Sequence, residues 1–164
     1  MKLIPLTQGK KAMVDDEDFE RLSAFKWYAW KVPNTVNKFY ARRNGKHKNG
    51  KQFTILLHHA VMRSLQMFDH HDRNGLNNQK HNLRASTEMQ NKHNASKRRD
   101  NSSGFKGVHW HKASKKWCVG IGLDGKRIEL GFFTNKRKAA EAYRQASLKY
   151  HGEFSIFNRK NTSL

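Results

Sequence analysis

Phe68-Asp69-His70-His71-Asp72-Arg73-Asn74-Gly75-Leu76-Asn77-Asn78-Gln79-Lys80-His81-Asn82-Leu83-Arg84 joins an Asp-His pair, a loop rich in Asn and an Asn-Leu-Arg exit in one short run. Met67 and Phe68 are apolar and predict a strand ending at Asp69-His70. Asp72 to Asn78 is dense in Asn and Gly, which is loop chemistry. Leu83 to Ser86 predicts a short returning strand. Thr87 then predicts a helix N-cap, with Gln90 three residues on completing a capping box. That places Asn91 in the first turn of a helix facing the strand pair.

These residue types suit phosphodiester hydrolysis. The reaction needs an activated water, a cation near the phosphate oxygens and help for the leaving 3′ oxygen. A neutral His is well tuned to take a proton from water near neutral pH, and His70 supplies one. A hard divalent ion such as Mg²⁺ prefers oxygen ligands, and Asp69 and Asn91 offer a carboxylate and an amide oxygen. The whole run resembles the HNH nuclease motif, the ββα-metal finger. The resemblance implies that His70 is the general base and that Asn82 is the middle Asn bracing the loop. It also implies that Asp69 and Asn91 hold one Mg²⁺ or Mn²⁺. One position departs from the family pattern: Arg73 stands where Gly is common, and Gly75 follows two residues later.

The chain has 164 residues, enough for one domain or two small ones. Its 33 Lys and Arg against 13 Asp and Glu give a formal net charge of +20, which implies a polyanionic partner. No apolar run approaches the roughly 18 residues of a spanning helix, and no signal-peptide pattern opens the chain. Cys118 is the single cysteine, so neither an internal disulfide nor a Cys-rich zinc knuckle is available. A soluble, intracellular protein that engages no membrane is expected.

Upstream of the motif, Leu3-Ile4 and Ala12-Met13-Val14 flank a Gly9-Lys10 turn and predict a strand pair. Asp15-Asp16-Glu17-Asp18 predicts a helix start, since acids suit the positive helix N-terminus, with Phe19, Leu22 and Phe25 as its apolar stripe. Lys26 to Trp30 and Lys38 to Arg43 predict aromatic strands whose rings enter the core. The next hairpin turn is expected from Asn44-Gly45 to Asn49-Gly50, with Arg42 and Arg43 at or near it as phosphate contacts. Phe53 to Leu57 predicts a strand and His58 to Met62 a short helix. His58 reads either as a packed or capping residue or as one near the scissile phosphate.

Residues 94–104 are polar and basic, as a linker is, and Lys97, Arg98 and Arg99 are candidates to follow a DNA groove. Residues 105–158 change character. Three strands are predicted, over Phe105 to His111, Lys115 to Ile121 and Lys126 to Phe133, with Asp124-Gly125 as a hairpin turn. Thr134 or Asn135 caps a helix running to about Tyr150, whose Ala139, Ala142, Tyr143 and Ala146 form a face that lies close on the sheet. Phe-Lys-Gly-Val, Lys-Lys-Trp, Leu-Gly-Phe-Phe, Ala-Ala-Glu-Ala-Tyr and His-Gly-Glu-Phe resemble the AP2/ERF DNA-binding domain. By that resemblance Lys106, His109, His111 and Arg127 face the major groove, which admits a β-ribbon, and Lys115 and Lys116 fit phosphates. Gly120, Gly122 and Glu129 depart from the plant pattern, so base preference does not carry over.

The expected fold class is therefore α+β. N-terminal strands lead into a ββα-metal HNH nuclease domain over residues 1–93. A basic linker spans 94–104, and an AP2/ERF-like three-stranded antiparallel sheet plus helix spans 105–158. The expected function is that of a phage-type homing endonuclease acting on double-stranded DNA as a monomer in the cytoplasm of a bacterial or phage-infected cell. A DNA-binding regulator with an inactive nuclease fold and a basic RNA-binding protein are the competing readings. Asp69, His70, Asn82 and Asn91 occurring together favour the nuclease, and the two-part motif pattern disfavours the RNA-binding protein.

Overall fold

Hydrophobic residues recur in two separate sets along the chain, and they build two cores. A computed structural model describes residues 1–158 apart from Asn34, Val36 and Arg99. The described residues form a mixed α+β structure with small antiparallel sheets and four α-helices. It divides into two compact units, Met1–Glu88 and Met89–Leu164. The division falls ahead of the expected linker at 94–104, inside a helix.

In the first unit, β1 (Lys2–Pro5) and β2 (Lys11–Val14) pair as a hairpin. Helix α1 (Asp16–Ser23) follows with three acids in its first turn, where they complement the helix dipole. It ends before Phe25, which was expected in the helix's apolar stripe and is exposed instead. Strands β3 (Tyr28–Lys31), β4 (Phe39–Lys46) and β5 (Gln52–Leu56) form an antiparallel sheet with β4 at its centre. Helix α2 (Leu57–Met62) comes next, then a two-stranded ribbon of β6 (Phe68–His70) and β7 (Leu83–Ala85). Ile4, Ala12, Val14, Leu22, Trp27 and Leu57 are the centre of the core.

Two expectations for this sheet need correction. Asn44-Gly45 is not part of the turn: β4 runs through it, pairing Asn44 with Thr54 and Gly45 with Phe53. A Cβ on Gly45 would lie 2.6 Å from the Phe53 ring, so the glycine makes room for a cross-strand side chain rather than for a reversal. Nor do all the aromatic residues enter the core. Trp27 does, at 1% exposure and with its indole N–H donating to Leu22 O, whereas Tyr28 is exposed and Trp30 and Tyr40 are half-buried.

In the second unit, helix α3 (Glu88–Asn94) is followed by β8 (Val108–His111), β9 (Lys116–Leu123) and β10 (Lys126–Phe133). These make an antiparallel sheet with β9 central. Asp124 and Gly125 both take positive φ in the turn, as the tightest hairpins require. Helix α4 (Lys136–His151) starts at Asn135, whose side chain accepts from the N–H groups of Arg137 and Lys138. Ala139, Tyr143 and Ala146 meet Val108, Val119 and Ile121 in the core. Trp117 packs half-buried at the core's edge, edge-on to Trp110 at 5.0 Å.

Candidate active site

The β6–β7 register sets Asp69 opposite Arg84 and His70 opposite Leu83. Opposed residues share a face, so the Arg84 guanidinium reaches Asp69 Oδ2 through Nη2 at 2.6 Å and Nε at 3.0 Å. Neighbours on a strand alternate faces, and His70 turns away from that ion pair. It is 4% exposed, tilted against the Tyr40 ring at 5.5 Å and edge-on to His58 at 5.2 Å. Its Nε2 lies 3.4 Å from Asn78 Oδ1. Burial pushes the His70 pKa below its ordinary value, although Asn78, Asp72 and Asp69 pull the other way. The imidazole is thereby held neutral near pH 7, the form a proton acceptor needs.

His58 projects from α2 and is also buried. Burial first, then the neighbouring His70 and His59, push its pKa down to about 3. The structure thus gives His58 the packed role, against Tyr40 and beside the candidate base.

Asn82 is the last residue of the loop between β6 and β7. Its Nδ2 donates to Asp72 Oδ1 at 3.0 Å and to Asn77 O at 2.8 Å, and its Oδ1 accepts from the Asp72 N–H at 3.0 Å. Asp72 Oδ2 accepts from Asn77 Nδ2 at 2.8 Å. Asn82 is 2% exposed and works through the loop's own polar groups. The loop is tied to β2 as well: Met13 N–H donates to Leu76 O, and Asn78 N–H donates to Met13 O. Asp15 accepts from the Lys80 N–H and from Gln79 Nε2, so part of the acidic helix start serves the loop. Arg73 takes φ +66°, the left-handed conformation that favours glycine. Gly75 is needed for a different reason. A Cβ there would lie 2.3 Å from Phe39 O and 2.5 Å from the Tyr40 ring.

The first unit therefore contributes Asp69, His70 and Asn82, while Asn91 lies on α3 and belongs to the second. Sequence reasoning did not single out Arg84, Asp72, Asn77 or Tyr40. Arg84 would have followed from pairing β6 with β7 in register. The other three had no local signal.

The expected DNA contacts divide into several groups. Arg42 and Arg43 lie within β4 rather than at a turn. The Arg42 guanidinium covers the Trp30 ring at 5.3 Å, and that of Arg43 covers Phe25 at 4.0 Å and Trp27 at 5.6 Å. Lys97 and Arg98 are exposed, with Arg98 beside Asp100, and Arg99 lies outside the described residues. Lys106 needs correction, because its ammonium donates to the carbonyls of Lys92, His93 and Ala95 at 2.6–2.8 Å. It caps the C-terminal end of α3, where a cation suits the helix dipole, and is not displayed on the sheet. His93 and His151 stack 3.5 Å apart in the same unit and add to that anchorage.

Among the sheet residues, His109 and Arg127 are exposed and 3.2 Å apart. His111 is half-buried and bonded to Ser114, and Lys115 and Lys116 are exposed at the β8–β9 turn. A Cβ on Gly120 would meet the Arg127 side chain at 2.4 Å, so the bare glycine is where Arg127 lies down.

Among the described residues no three His, Cys, Asp or Glu side chains gather as a metal set, and no helix is long and apolar enough to cross a membrane. No family model matches the chain, and no curated protein or solved structure is significantly similar to it.

Proposed function

We propose that this protein is a metal-dependent DNA endonuclease of the HNH type whose second unit, AP2/ERF-like, holds duplex DNA. The observation that carries the reading is a buried His70, biased toward its neutral form, next in chain to the Asp69 carboxylate on one short strand. A polar loop braced by Asn82 follows it directly. The order β6, loop, β7, α3 is the order of a ββα-metal finger.

In this reading His70 takes a proton from water through the unprotonated nitrogen of its neutral ring, and the water oxygen attacks phosphorus. The bond between phosphorus and the 3′ oxygen breaks, and the departing oxygen takes a proton from solvent water, giving 5′-phosphate and 3′-hydroxyl ends. Tyr40 and His58 hold the His70 ring in place, and Asn82 holds the loop. Asp69 would offer the cation a carboxylate oxygen, the kind of donor that Mg²⁺ or Mn²⁺ prefers. Such an ion supplies positive charge at the phosphate oxygens. Lys97, Arg98 and Arg99 follow the backbone. The outer sheet face with His109, His111, Lys116 and Arg127, together with Lys115, grips the duplex.

His70→Ala should lower cleavage of host DNA in Mg²⁺ by about 10²–10⁴-fold with DNA affinity nearly unchanged. Wild-type cleavage by His70→Ala, or full activity in EDTA, would sink the assignment. One observation favours a second reading, a DNA-binding regulator on an inactive nuclease fold: the Asp69 carboxylate already pairs with Arg84. Duplex binding with no cleavage in any divalent metal would select it.

A further inference from the structure

The segment from Lys26 to Leu57 contains eight Lys or Arg and no Asp or Glu. Much of it is the β3–β4–β5 sheet, and the register sorts its side chains. Tyr28 opposes Arg42, and Trp30 opposes Tyr40. Directly opposed residues share a face, so these four stand on one side of the sheet. Ala29 and Ala41, which also oppose each other, are buried on the other side. The core is thus served by the alanines, and the rings stand on the other face, where Tyr28 is exposed and Trp30 and Tyr40 are half-buried.

The outward rings alternate with cations. Trp30 and Tyr40 stack at 6.4 Å between centroids with their planes 24° apart. The Arg42 guanidinium lies 5.3 Å over Trp30, the Lys38 ammonium 5.2 Å over Tyr40 and the Lys26 ammonium 6.0 Å from Tyr28. Tyr28 is 40% exposed. At its inner end the row reaches the candidate base, since Tyr40 also touches His70 and His58. Rings that offer a π-face next to cations that offer charge are the two components of a single-strand binding track: bases stack on the former and phosphates pair with the latter.

We infer that this sheet face binds unpaired nucleotides of the DNA strand next to the scissile phosphate, with a base against Trp30 and phosphates at Arg42 and Lys38. The inference rests on the nuclease reading for its link to cleavage, though not for the binding itself. A phosphate draws the Arg42 guanidinium off the Trp30 ring, and the base takes its place. The nuclease then favours DNA that is locally open, and a gapped or bulged duplex is a better ligand than a fully paired one.

The test uses the full chain carrying His70→Ala, in buffer without divalent metal, so that no cleavage intervenes. Fluorescence anisotropy compares a duplex with a gap of three unpaired thymidines and its fully paired counterpart at one salt concentration. The gapped ligand should bind about tenfold more tightly, since that is the scale of one base–ring stack. Adding Trp30→Ala should erase the preference and leave paired-duplex affinity unchanged, and Trp30→Phe should keep most of it. Tyr28→Ala, at an exposed position on the same face, should reduce it without depending on the fold around Trp30.

A preference that survives both alanine variants, or no preference at all, overturns the inference. So does tighter, Trp30-dependent binding of an RNA strand of equal length, which would reassign the track to RNA. Gap preference in a protein that never cleaves would refute the nuclease reading alone. Cleavage without gap preference would refute this inference alone.

Discussion

The loop after His70 and the turn between β9 and β10 both reverse a strand, and they do it by different physics. Asp124 and Gly125 reverse the second sheet in two residues, with φ of +48° and +76°. The local backbone is sufficient there. The loop from His71 to Asn82 has only one residue in that region, Arg73 at +66°, and otherwise depends on side chains. Asp72, Asn77 and Asn82 bond to one another, β2 supplies two backbone bonds, and β4 presses on Gly75. A turn of the first kind is specified by its own two residues. A loop of the second kind keeps its shape only while the rest of its unit is folded, so the candidate site should fail with the fold around it.

The largest effect is expected from pH. His58, packed on His70, has its pKa lowered from an ordinary 6.5 to about 3, chiefly by burial. The unfolded chain takes up this proton near pH 6.5, whereas the folded unit resists it down to about pH 3. The stability His58 contributes is therefore complete above pH 6.5 and is lost as pH falls toward 3, at up to roughly 1.4 kcal/mol per pH unit. Thermal melts across that window should show the loss, and His58→Phe should make it shallower, with the buried His70 and His93 carrying part of the remainder. A slope that is the same in His58→Phe would place the responsible group elsewhere.

Asn82→Leu comes next. It strips Asp72 and the Asn77 carbonyl of a buried donor, and about 3 kcal/mol of the first unit's stability should go with it. Urea unfolding measures this, and a loss below about 1 kcal/mol would mean that the loop is not braced as described. In the hairpin, Gly125→Ala puts a side chain at φ +76° and should cost only about 1 kcal/mol, confined to the second unit. The smallest effect has the opposite sign. Arg73→Gly relieves a left-handed residue and should change stability by less than about 1 kcal/mol, upward if the strain outweighs the added freedom of the unfolded chain. A marked loss would show that the Arg73 side chain holds the loop.

Much of the second unit was legible because its signals are local. Asp124-Gly125 marks its turn, Asn135 caps α4, and Ala139, Tyr143 and Ala146 recur at helical spacing on the buried face. In the first unit the strand ends at Asp69-His70 and the Leu83 return were legible for the same reason. Lys106 was not. Its composition and neighbours suit a phosphate contact, and only the approach of three carbonyls at the end of α3 makes it a cap. Asn44-Gly45 has the composition of a turn, but its pairing with Thr54 and Phe53 keeps it in β4. Asp15 belongs to an acidic helix start, yet its carboxylate is taken by Gln79 and Lys80, more than sixty residues on.

By itself the sequence determined where many of the strands and helices lie, a formal net charge of +20 and which short run carries an imidazole beside a carboxylate. Capping, turn dihedrals and net charge depend on residues within a few positions of one another or on the chain as a whole. Only the tertiary structure decided that Asp69 meets Arg84, that His70 is enclosed by Tyr40 and His58, and that Trp30 and Tyr40 stand outside the core. Those outcomes depend on strand register and on which face of a sheet is covered. A shift of one residue would turn each of these side chains to the other side, and that choice is made by the packing of the whole unit.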